Sequence, residues 1–184
     1  VFGDITKIKS SEMPDDIDLV IGGFPCQGFS VANTKRSMKD ERNFLYKEML
    51  RVIKDKNPKF FVAENVKGIL SMEKGKVIEM IKKDFESLGY KVDARLLNAA
   101  EYGVPQARER VVIIGNRLGL ENPYPTPTHW VDSKKYTSKK GLKKPITVKD
   151  TIGFLSDIRL SDYPIKLEDG TMIYNHMAAT NVYD

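Results

Sequence analysis

The stretch NFLYKEMLRVIKDKNPKFFVAEN, residues 43–65, decides the fold class. In its first half Leu45, Met49, Val52 and Ile53 recur at helical spacing, which predicts an amphipathic helix over 43–56. Asn57-Pro58 stops that helix, because a residue before proline is driven out of the α region. KFFVAEN, 59–65, then reads as a strand. A helix feeding a strand is the building unit of an α/β sheet, and the same alternation continues on both sides.

Upstream, IDLVI (17–21) is a short apolar run closed by Gly22-Gly23, which predicts a buried strand. Downstream, a second helix over Lys76 to Leu88 buries Val77, Ile81, Phe85 and Leu88, with Gly89 as its C-terminal cap. Tyr90 to Leu97 and VVIIG, Val111 to Gly115, are two further strands. The pattern implies an α/β domain with a largely parallel sheet. Ligands of such sheets bind beyond the carboxyl ends of the strands. Cys26 and Glu64 both follow such ends and are expected on one rim.

After Gly115 the character changes. Residues 121–147 hold Pro123, Pro125, Pro127 and Pro145 and the lysine-rich run KKYTSKKGLKK, Lys134 to Lys144. This reads as a long connection, followed by a short helix from Thr147 to Leu155 that opens on a Thr147–Asp150 capping box. Residues 156–184 show no clear period, and no internal repeat is present.

Composition narrows the classes. The 184 residues are 41% hydrophobic and 30% charged, ordinary for a globular chain. No apolar run approaches the roughly 20 residues that span a bilayer. The first residues, VFGDITKIKS, show neither the pattern of a signal peptide nor an initiator methionine. A single cysteine excludes an internal disulfide, and His129 and His176, distant from each other and from Cys26, argue against a zinc site. A net charge of +5 and a pI near 9.1 suit a polyanionic partner without requiring one.

Three places could carry chemistry. Cys26 sits in GGFPCQGFS, where two glycines permit a tight turn, Pro25 fixes a φ angle, and polar Gln27 and Ser30 flank the thiol. Attack needs thiolate, so a local field or an activated electrophile must assist it. Glu64 follows the apolar run FFVA, where burial would raise its pKa and let it donate a proton. Arg108 and Arg110 alternate just before a strand, so both should project to one side and could hold a carbonyl, carboxylate or phosphate oxygen. An inert core cysteine, a solvated carboxylate and a solvated arginine pair are the plain alternatives.

Taken in order, GFPCQGFS, ENVKGIL and LLNAAEYGVPQARERVVIIG resemble the central motifs of the DNA cytosine-5 methyltransferase family. GDIT (3–6) and ERNFLYKEMLRVI (41–53) add lesser matches, and the likeness covers about residues 2–116, more loosely to 155. The resemblance implies a Rossmann-like methyltransferase domain using S-adenosyl-L-methionine, with no metal, acting on double-stranded DNA in methylation of the restriction-modification kind. It casts Cys26 as the nucleophile toward C6 of a flipped-out cytosine. Glu64 would hold N3 and the exocyclic amine, Arg110 would hold O2, and Arg108 would organise the pocket. Asp4 would accept from the cofactor's adenine amine with Ile5 on its ring, while Pro25 and Leu45 line the cofactor cleft. Gln27, Ser30 and Asn65 would meet the substrate, and the lysine-rich run either grips phosphates or is a solvated loop.

The same matching divides the chain into the central and C-terminal part of the catalytic domain, 1–120, and a connection toward a target-recognition region, 121–184. The family's opening Gly-rich motif, its ribose-binding acid and its closing motifs are not found. The chain is therefore expected to be the middle of an enzyme: a partial product, or one piece of a split enzyme with a complementary polypeptide. Such an enzyme works on DNA in a bacterial cytoplasm or a eukaryotic nucleus. An RNA cytosine-5 methyltransferase, an inactive DNA-binding fragment and a redox thiol protein remain alternatives.

Overall fold

The computed structural model describes residues 3–25, 45–131 and 141–153, together with 165–166, 170 and 172–173. Four strands form the central sheet: β1 (Leu19–Gly22), β2 (Phe60–Val66), β3 (Lys91–Asn98) and β4 (Glu109–Asn116). Their spatial order is β1-β2-β4-β3. β1 and β2 run parallel, and β4 lies antiparallel between β2 and β3. Three of the four strands thus point one way. The reversal of β4 was not legible from VVIIG, since an apolar run does not encode its direction.

Two helices, α1 (Tyr46–Lys56) and α2 (Lys76–Glu86), supply the rest of the core. α1 ends at Asn57 in the left-handed conformation, φ 49° and ψ 49°, whose amide donates to the Ile53 carbonyl at 2.8 Å. That is the expected stop before Pro58. α2 stops at Glu86, and Gly89 takes φ 87° as the chain turns into β3. Met49 and Ile53 of α1 and Val77, Ile78, Ile81 and Phe85 of α2 join Phe61, Ala63, Val111 and Ile113 of the sheet in one apolar cluster. The Phe61 ring lies 4.5 Å from Phe85 and 5.3 Å from Tyr90. Each such fully buried side chain contributes about 1.5–3 kcal/mol by leaving water. Tyr46 donates to Asp84 at 2.7 Å and so ties α1 to α2. Burial and that acceptor push the Tyr46 hydroxyl well above the usual phenol range.

β1 departs from the expectation of a buried strand. Leu19 is 45% and Ile21 73% exposed. β1 pairs with β2 alone among the described strands, so only its inward residue, Val20, packs on the core.

The chain divides into two compact units, Val1–Pro145 and Ile146–Asp184. In the first unit the segment after β4 packs back on the sheet. The Asn116 side-chain amide donates to Leu120 O at 2.9 Å and to Asn122 Oδ1 at 2.8 Å. Asn122 in turn donates to Asp93 Oδ2 at 2.7 Å. The Tyr124 hydroxyl sits 2.8 and 2.9 Å from the carbonyl oxygens of Asp93 and Val112, under the Arg95 guanidinium at 4.2 Å from the ring. Desolvation pushes that hydroxyl up to about 12. The backbone amides of Thr128 and His129 then both donate to Glu101 O at 2.9 Å. In the second unit, α3 (Val148–Ile152) opens on the anticipated capping box, Thr147 and Asp150 bonding reciprocally. Residues 154–155, where the helix is expected to end, lie outside the described residues. A two-residue antiparallel pair, β5 (Ile165–Lys166) with β6 (Met172–Ile173), was not anticipated. No period-2 pattern is readable in strands so short.

Candidate active site

The site is built on the carboxyl end of β2. Side chains alternate along a strand, so Phe61, Ala63 and Asn65 point inward while Glu64 points out. The apolar run FFVA therefore does not bury Glu64. It is half-exposed, and that corrects the sequence expectation. Position 64 lies opposite Val112 and position 66 opposite Arg110, so Arg110 is the diagonal neighbour of Glu64 across the antiparallel pair. Arg110 Nε reaches Glu64 Oε1 at 2.6 Å, while its Nη1 donates to Glu109 O at 2.8 Å. Arg108 Nη2 stands 4.0 Å from the same carboxylate oxygen. The two arginines do share a side, as their spacing predicts.

The neighbouring β1 end approaches the same carboxylate. A side-chain carbon at Gly23 would start 3.8 Å from Glu64 Oε2. Beside it, Asn65 is only 2% exposed and donates through Nδ2 to Phe24 O at 3.3 Å, while its Oδ1 accepts from the Val66 amide at 2.9 Å. Asn65 is expected from the resemblance to meet the substrate; its side chain here serves the backbone. Its amide is turned into the protein, where it holds the backbone two residues before Cys26. Phe24 is itself buried against the Tyr46 ring at 6.0 Å. Cys26, Gln27 and Ser30 lie outside the described residues, as does most of the lysine-rich run.

Next to this rim is an open cleft of about 410 Å³, and Asp4, Ile5, Pro25 and Leu45 all line it. Its floor and walls are mainly apolar, from Val20, Phe24, Met49 and Val52, with Glu48 among the few charged groups. At one end Asp4 accepts from the Thr6 hydroxyl at 2.8 Å and from the Thr6 amide at 3.0 Å. Those bonds, the hydroxyl's first, hold the Asp4 carboxyl below the usual carboxylate range. Asp4 thus stays an acceptor at every physiological pH. Among the described residues no group of three or more His, Cys, Asp or Glu could hold a metal ion.

Comparison with known proteins settles the family. The model of the C-5 cytosine-specific DNA methylases matches residues 1–179. The chain belongs to that family. Among curated relatives, the chain is 42% identical over 174 residues to Type II methyltransferase M.NgoFVII of Neisseria gonorrhoeae, covering 93% of this chain and 45% of the relative. It is 48% identical over 155 residues to M.BspRI of Lysinibacillus sphaericus, covering 83% and 34% respectively. With M.AquIA of Picosynechococcus the identity is 43% over 171 residues, covering 83% of this chain and 69% of the relative. The chain thus spans between a third and a half of the length of the first two relatives. Among solved structures, a protein described as a DNA modification methyltransferase encoded within an E. coli prophage gives a TM-score of 0.59 at 29% identity, over 89% of this chain and 44% of that one. The Entamoeba histolytica methyltransferase EhMeth gives 0.54 at 17% identity, over 67% and 40%, a likeness of fold alone.

Sequence reasoning missed Arg51 of α1. Its guanidinium lies behind the Asp4–Ile5 end of the cleft and bonds the backbone there. The available signal was a polar stripe, Glu48, Arg51 and Asp55, running beside the apolar stripe of the same helix.

Proposed function

We propose that this chain carries the catalytic centre of a DNA cytosine-5 methyltransferase that uses S-adenosyl-L-methionine. The observation that carries the reading is the Glu64–Arg110 pair, 2.6 Å apart with Arg108 beside it, on the rim to which Gly23, Phe24 and Pro25 lead the chain before Cys26. A half-exposed ion pair of this kind contributes only about 0–1 kcal/mol to stability. Its value is as a preset pair of opposite charges for a substrate that needs both.

A cytosine ring presents that demand. A stacked base hides C6, so the nucleotide must leave the duplex before a thiol can reach it. Cys26, as thiolate, forms the S–C6 bond, and the ring electrons displaced by it make C5 nucleophilic. Glu64 faces N3 and the exocyclic amine: its carboxylate accepts from the amine, and a proton that it first takes up from solvent passes to N3 as the S–C6 bond forms. Arg110 donates to O2, where negative charge gathers, and Arg108 keeps Glu64 in place from its other side. Loss of the C5 proton and cleavage of the S–C6 bond return the thiolate. The cleft suits the adenosyl end of the cofactor: Asp4 accepts from an exocyclic amine, and Ile5, Leu45 and Pro25 offer apolar contact to a flat ring. When bound, the cofactor supplies an electrophilic methyl group for C5.

The test separates binding from turnover in the intact protein. Cys26→Ala should abolish transfer of a tritiated methyl group to duplex DNA while leaving DNA affinity largely unchanged, because phosphate contacts supply most of that affinity. Methyl transfer surviving in this variant would overturn the nucleophile, and transfer by the unmodified protein to RNA but not DNA would overturn the substrate.

A further inference from the structure

We infer that Arg51 is a positioning residue that presets the Asp4–Ile5 wall of the cleft, an inference that rests on the cofactor reading above. The segment from Asp4 to Ser10 has little of its own to fix it. Within it, among the described residues, a single turn around Asp4 shapes the backbone: the Lys7 and Ile8 amides donate to Asp4 O at 2.9 and 3.2 Å, and the Thr6 amide donates to Asp4 Oδ1 at 3.0 Å. No strand among the described residues pairs with it. Among the described residues two side chains of α1 join it to the domain: the Asp55 carboxylate, which holds Ser10 alone, and the Arg51 guanidinium, which spans the segment. Arg51 Nη2 donates to both Ile5 O and Ile8 O at 3.0 Å, and Nη1 donates to Ser10 Oγ at 2.7 Å. Nε meanwhile donates to Glu48 Oε2 at 3.0 Å.

The fork is itself held. Glu48, one helical turn before Arg51, orients it, and Asp55, one turn after, accepts from Ser10 Oγ at 2.5 Å. Farther along, Lys56 grips Met13 O at 2.9 Å and Asp15 at 2.7 Å, so residues 13–15 have their own tether and do not depend on Arg51. Arg51 therefore governs residues 5–10, and through them the place of Asp4 and Ile5. It touches no cleft space itself. Glu48, Met49 and Val52, its neighbours on α1, do line the cleft, so one helix sets both walls. Three donor directions from one planar group suit arginine and not lysine, whose ammonium is a point charge without the fork.

The test uses the intact protein and variants Arg51→Met and Arg51→Lys. Removing the fork should weaken S-adenosyl-L-methionine binding by about tenfold or more in calorimetry, the scale on which a small misplacement acts. Turnover at saturating cofactor and affinity for DNA should stay within about twofold of the unmodified protein. Amides of residues 5–10 should exchange hydrogen faster in Arg51→Met without cofactor present, while those of 13–15 keep their rate. Arg51→Lys should recover only part of the affinity. A merely structural residue would instead lower melting temperature and active fraction with cofactor affinity unchanged, and that result overturns the inference. So does full affinity in Arg51→Lys. If the unmodified protein binds no S-adenosyl-L-methionine while Arg51→Met still speeds exchange at 5–10, the cofactor reading fails and the tether stands alone as a fold device.

Discussion

At the scale of single residues, the site turns on one carboxylate shared by two guanidinium groups. Glu64 Oε1 is 2.6 Å from Arg110 and 4.0 Å from Arg108, so the charge pair exists before any substrate arrives. Preset charges of this kind act on the transition state without reorganising. Under the proposed mechanism, Glu64→Gln keeps shape but loses the group proposed to serve N3, and Arg110→Ala removes the donor proposed for O2. Each should lower turnover by roughly 10² or more, with melting temperature little changed because the pair is half-exposed. Single-turnover kinetics would check this, and near-normal rates in either variant would remove that residue from the catalytic set. The sequence made Glu64 and the arginines legible as residue types in order. It could not show Asn65 turned inward to Phe24 O, because the two residues are 41 positions apart and only the parallel pairing of β1 with β2 brings them together.

At the scale of elements, the sheet is what aligns these side chains. The β2–β4 register puts Gly115 opposite Phe61, and it explains why a glycine ends VVIIG. A Cβ at Gly115 would sit 2.1 Å from the fully buried Phe61 ring, which Phe85 and Tyr90 already confine. Gly115→Ala should therefore destabilise the domain by about 1–3 kcal/mol, as overpacked cores do. The strain falls three residues along β4 from Val112, the partner of Glu64, so turnover below the melting transition should hold. Thermal unfolding beside a rate assay tests both halves, and an unchanged melting temperature would contradict the packing account. Helices and strands were legible here because α1, α2, β2 and β3 carry long periods and clear stops at Asn57-Pro58 and Gly89. β1 was legible as a strand but not in its burial: IDLVI, four apolar residues and one aspartate, looks the same in a buried strand and in one paired on a single side. The return of residues 117–131 over β3 was hidden as well, since it hangs on Asn116, Asn122 and Tyr124, polar groups that look like loop residues until their partners are placed.

At the scale of the whole molecule, the chain combines a rim of opposite charges, an adjoining apolar cleft ended by Asp4, and a helix, α1, that serves the cleft with one stripe and fixes its far wall with another. Membership of the C-5 cytosine-specific DNA methylases joins these parts to one kind of chemistry. The central claim is that Cys26 bonds covalently to C6 of a cytosine in the course of methyl transfer. It is tested most directly with duplex DNA carrying 5-fluorocytosine, incubated with the intact protein and S-adenosyl-L-methionine. Fluorine at C5 cannot leave as a proton does, so the S–C6 bond should persist, and peptide mapping of the trapped complex should place the nucleotide on Cys26. An adduct mapped to another residue, or none while ordinary DNA is methylated, would contradict the account.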